Sequence, residues 1–142
     1  MDYRIHRSKD ELTSTGYMEI GPGKYSGVHW QDGFLFVWGD AFSMAEGIVA
    51  KHFPDYDHFA MNDIPKAIGE RIIANWLEVG RGLSSMSPEE ALFELNLNAS
   101  HSGRLHDEVA AHGADIEEMI RTLATECAGF YEKDDWVCIL GM

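Results

Sequence analysis

The chain has 142 residues, is 45% hydrophobic and 11% aromatic, and carries a formal net charge of −13. That length suits one domain with its own core, and that apolar content excludes a disordered acidic tail. Eleven Lys and Arg against twenty-four Asp and Glu exclude the clustered basic surface by which proteins bind nucleic acid or an anionic membrane. No run approaches the roughly 18 apolar residues of a membrane span. The opening MDYRIHRSKDEL lacks the apolar core of a signal peptide, so a cytoplasmic protein is expected.

In chain order, Tyr17-Met18-Glu19-Ile20 reads as a strand, followed by a Gly21-Pro22-Gly23 turn. Tyr25 to Trp30 and Phe34 to Trp38 read as a hairpin, because Asp32-Gly33 between apolar runs is a hairpin signal. Phe34-Leu35-Phe36-Val37-Trp38 is apolar on both faces, which places it centrally in a sheet covered on both sides. At Gly39-Asp40 the period changes: Ala45, Ile48, Val49 and Phe53 share a helical face that ends before Pro54. Trp38-Gly39-Asp40 is read as a strand-to-helix turn, with Asp40 or Ser43 as the cap.

Asp63 is expected to cap a second helix with Pro65 in its first turn. Ile64, Ala67, Ile68, Ile72, Ile73, Trp76 and Leu77 spread widely enough around that helix to predict its burial. Gly80-Arg81-Gly82 stops it. Ser87-Pro88-Glu89-Glu90 is an N-terminal signature, with Ser87 the cap and Glu90 able to close a capping box; this short helix runs to about Leu97. A further helix is expected over 103–112, stopped by Gly113, and a last one from about Asp115 to Gly129. Trp136 to Leu140 is an apolar strand that returns to the sheet, since left alone it would be an aggregation hazard. The expectation is a single α+β domain over residues 1–142: an N-terminal antiparallel sheet, a helical region, and a C-terminal strand returning to the sheet.

The residues that carry chemistry are scattered. His101, His106 and His112 do not share a helix face, and neither a His pair at i,i+4 nor a close Cys pair is present. Glu108 and His112 stand at i,i+4 and read as a surface pair. His52, Asp55, Asp57 and His58 flank a Pro-containing turn and are the one cluster from which a metal-assisted hydrolase would be built, with a solvated loop the simpler reading. Cys127 and Cys138 lie in apolar surroundings and read as reduced core residues. Ser84-Ser85 and Ser100-His101-Ser102 read as loop, and Gly21-Pro22-Gly23-Lys24 lacks the spacing of a phosphate loop. No cofactor or metal is expected, and the chain reads as a binding protein rather than an enzyme. A homodimer burying Trp30 and Trp38 is a further possibility.

The charge itself is lopsided. Residues 1–86 hold twelve acids and eight bases, whereas residues 87–142 hold twelve acids and three bases (Arg104, Arg121, Lys133), a balance of −9. Helix starts account for Glu89, Glu90 and Asp115, and neighbouring bases for Glu117 (with Arg121) and Glu132 (with Lys133). Glu94, Asp107, Glu108, Glu118, Glu126, Asp134 and Asp135 are left without nearby bases. Self-repulsion among such groups costs stability, so these seven are the candidate contacts for a basic protein partner; a merely solubilising face is the alternative.

A small, strongly acidic α+β chain with a Trp38-Gly39-Asp40 step after a hairpin resembles the bacterial immunity proteins that neutralise polymorphic or contact-dependent toxins. The resemblance is one of size and character over the whole chain and transfers no functional residue. It implies a cognate toxin domain, commonly a basic nuclease. The acidic surface would stand in for nucleic-acid phosphates and speed association by steering.

Overall fold

The computed structural model describes residues 1–97 and 102–141, with Ser102 described in its backbone alone; His101 and Ser100 lie outside the described residues. Five strands, β1 (Ile5–His6), β2 (Tyr17–Pro22), β3 (Leu35–Trp38), β4 (Met61–Pro65) and β5 (Trp136–Leu140), form one sheet in the order β1-β3-β2-β5-β4. Every pairing is antiparallel. The helices are α1 (Gly39–His52), α2 (Lys66–Val79), α3 (Pro88–Glu94) and α4 (Ser102–Lys133). The α+β arrangement expected from the sequence is what forms, including the return of the C-terminal strand, which lies between β2 and β4.

Strand alternation gives the sheet two apolar faces. Met18, Ile20, Leu35, Val37, Ile64, Val137 and Ile139 join the helices in the main core, around Phe42, Ile48, Trp76, Ile116 and Leu123. The opposite residues, Tyr17, Phe34, Phe36, Cys138 and Leu140, form a second, smaller cluster, covered by Leu12, Tyr25, Trp30 and Trp38. Each large side chain so buried stabilises the fold by about 1.5–3 kcal/mol. Cover on both sides of β3 is as expected. Its position is not, for β2 is the middle strand and β3 lies next to the two-residue β1.

Other expectations are corrected. Residues 25–30 form no strand: Gly23 and Gly27 take φ of 84° and 89°, and Trp30 itself takes 60°, so the chain leaves the extended path although the Gln31–Phe34 turn forms. Asp63 caps no helix. It lies within β4 and accepts from the Tyr25 N–H at 2.8 Å, while α2 starts after Pro65 without a side-chain cap. Asp40 and Ser43 do not cap α1 either; the Ser43 hydroxyl donates to the Asp40 carbonyl. Ser87 does cap α3, accepting from the Glu90 N–H, with Pro88 in the first turn. The two helices expected on either side of residue 113 also form, following one another without a loop at a kink at His112, whose φ of −129° is non-helical. The helix then passes through Gly129 to Lys133.

Two glycines give opposite predictions. At Gly47 a Cβ would stand 2.5 Å from the Leu95 carbonyl and 2.7 Å from that of Asn96, so α1 meets the end of α3 there, backbone against backbone. Gly47→Ala is expected to destabilise the protein by about 1–3 kcal/mol in chemical denaturation, because neither backbone can yield cheaply. At Gly129 a Cβ meets nothing. Gly129→Ala is expected to stabilise by about 0.5–1 kcal/mol through helix propensity.

Candidate functional site

The seven acids singled out from the sequence divide into two groups. Glu108 accepts from the buried Tyr3 hydroxyl at 2.5 Å, Glu126 pairs with Arg7 at 2.7 Å, and Asp134 accepts from the Trp136 N–H at 3.0 Å as α4 turns into β5. These three hold the N-terminal segment and the last strand against α4. Glu94, Asp107, Glu118 and Asp135 are exposed. Among the described residues, Glu94, Glu118 and Asp135 have no ion pair, and Asp107 has the His106 ring 3.8 Å away. Of these four only Asp107 and Glu118 lie on α4, on either side of its kink at His112; Glu94 is the last residue of α3 and Asp135 follows α4. The outward acids are therefore shared among the end of α3, both halves of α4 and the turn into β5.

Two expected local pairs are replaced by tertiary ones. Glu117 takes the backbone N–H and hydroxyl of Ser84, at 3.1 and 3.2 Å, instead of Arg121. Glu108 and His112 do not pair; Tyr3 comes between them, with its ring centroid 5.8 Å from that of His112. Burial first, and then the Glu108 carboxylate, push the Tyr3 phenol well above its ordinary range. Beside it Asp2 bonds Arg4 and His6, each at 2.9 Å.

The His52, Asp55, Asp57 and His58 cluster does not converge. His52 Nε2 lies 2.9 Å from Asn75 Oδ1, facing a groove of about 1060 Å³ between α1, α2, α3 and the start of α4. His58 Nδ1 lies 2.7 Å from Glu46 Oε2, which also accepts from the Tyr56 hydroxyl. Asp57 accepts from the Phe59 N–H and so closes its own turn. Among the described residues no group of three or more His, Cys, Asp or Glu side chains is placed to hold a metal ion.

What sequence reasoning missed lies on the small face of the sheet. Glu19, in the middle strand, is 3% exposed. Its carboxylate bonds His29 Nδ1 at 2.6 Å and accepts from the Trp30 N–H at 2.5 Å; His29 Nε2 in turn lies 3.0 Å from the Tyr25 hydroxyl. A carboxylate of the sheet thus orients an imidazole, and the imidazole a phenol, both of them in the segment linking β2 to β3. The available signal was a lone carboxylate at an alternating strand position, which ordinarily points to water.

Cys127 and Cys138 are free and buried, one in each cluster, with the sheet between them. Burial pushes both thiols up to about 12, so neither is a nucleophile at neutral pH. Trp30 stacks on Phe36 and Trp38 packs edge-on against Tyr17, so both aromatics have partners within the chain. No described helix is long and apolar enough to cross a membrane. No protein-family model, curated protein or solved structure matches the chain.

Asp2 yields a pH prediction. Its hydrogen bond from Arg4, joined by those from His6 and the Arg4 N–H, outweighs partial burial and holds its carboxyl well below the ordinary 3.8. A depressed carboxylate adds stability that is present above its unfolded value and lost as the pH falls through the folded one. Asp2→Asn is therefore expected to cost about 1 kcal/mol near neutral pH and to flatten the loss of stability below about pH 4. Denaturant melts across that range check it.

Proposed function

We propose that this chain is a non-enzymatic binding protein for a basic protein partner, of the kind that immunity proteins are for toxin domains. The carrying observation is the −9 balance of residues 87–142, with Glu94, Asp107, Glu118 and Asp135 exposed and with little local compensation. Outward carboxylates act together at long range: they raise the encounter rate with a positive surface and repel nucleic acid and other acidic proteins. Direct contacts with Lys and Arg of the partner would then fix how the two proteins dock. Binding over an active site would neutralise an enzyme that itself grips phosphates.

The test is kinetic. With the partner recovered by affinity capture from the native host, Asp107→Lys, Glu118→Lys and Asp135→Lys together are expected to slow association by about tenfold or more at low salt, and to flatten its salt dependence. Among the described residues none of these three side chains makes a hydrogen bond, and Asp107 alone has an ionic neighbour, the exposed His106 ring at 3.8 Å, so the variant is expected to keep its fold. Unchanged association rates overturn the reading.

A further inference from the structure

We propose that residues 24–33 form a latch, hinged at Gly23 and Gly33 and clasped by the Glu19 carboxylate, that opens without the rest of the fold and uncovers the small face of the sheet. The segment belongs to no sheet or helix. Among the described residues its backbone is tied by the Gln31–Phe34 turn, by Asp63 accepting from the Tyr25 N–H, and by Glu19 accepting from the Trp30 N–H. Gln31 bonds back within the segment, to Ser26 and Val28. What holds it down is therefore mostly side chains: the Glu19–His29–Tyr25 chain of bonds, the Trp30 ring stacked on Phe36, and at its first residue the Lys24 ammonium 4.2 Å from the Trp136 ring centroid. Segments joined to a core by so few backbone bonds open far below the free energy of global unfolding.

The hinges are in place. Gly23 and Gly33 have φ of 84° and 85°, and a Cβ at Gly33 would meet nothing, so glycine there serves backbone conformation rather than space. Trp30 is held at φ 60°, a conformation a bulky side chain seldom adopts and one that release from Glu19 relaxes. Beneath lie Tyr17, Phe36, Cys138 and Leu140, all on paired strands, so the floor stays formed when the cover lifts. Opening also frees Glu19 and His29 to water, which offsets the loss of their mutual bond.

The two cysteines report on this directly. Cys138 belongs to the cluster against which Tyr25 and Trp30 of the latch pack, whereas Cys127 belongs to the main core on the helical side of the sheet. Alkylation of the native protein, followed by mass spectrometry of the two peptides, is expected to modify Cys138 faster than Cys127. Glu19→Gln, which weakens bonds to a charged acceptor, is expected to speed Cys138 by about tenfold and leave Cys127 unchanged. Should Glu19→Gln fail to fold, His29→Ala removes one of the two clasping bonds at a partly exposed side chain and carries the same expectation. Equal rates at the two cysteines, a parallel rise at both in the variant, or a Cys138 rate that neither substitution moves overturns the latch.

Discussion

A sheet with two apolar faces must be covered twice, and this chain spends all its long helices on one side. The other face is closed by the chain between β2 and β3, and that closure turns on the Glu19 carboxylate in the middle strand. A charge buried to that degree is costly unless its lone pairs are met. His29 and the Trp30 N–H meet them, and their positions in turn require the sharp bends that take residues 25–30 out of any strand. One carboxylate thus dictates the path of the irregular segment and decides that the small face is shut.

What could be read in the sequence was whatever had a period. β2, β3 and β5 show apolar runs bounded by turn residues. α1, α2 and the second half of α4 show clear helical faces, and Ser87-Pro88 marks the start of α3 by local chemistry alone. β4 escaped because Met61-Asn62-Asp63 has no apolar alternation. Asn62 is buried for its amide, which donates to the carbonyls of Asp57, Ala60 and Ile139, a use that pattern cannot reveal. Residues 25–30 misled for the opposite reason: their composition suits a strand, and a tertiary bond overrides it. β1 is too short to signal at all.

The candidate site was legible in sum and not in detail. The surplus of carboxylates is a property of composition, and half the protein's acids do fall in residues 87–142. Which of them face outward depends on Tyr3 and Arg7, far away in sequence, which claim Glu108 and Glu126, and on Trp136, whose N–H takes Asp134 in the turn into β5. The histidines follow the same logic. His6, His29, His58, His106 and His112 each lie within 4.0 Å of a carboxylate. Part of the acidity is thus internal scaffolding, and the proposed binding function rests on the smaller share that reaches solvent.

The position of β5 bears on how the fold is made. It sits between β2 and β4, more than a hundred residues beyond the first of them in sequence and some seventy beyond the second. During synthesis β2 can pair with β3 early, but its other edge stays open until residues 136–140 have left the ribosome, and until then β4 has no partner. Closing two long loops with one short strand favours a slow final step. Throughout that interval the nascent chain presents an unpaired apolar edge.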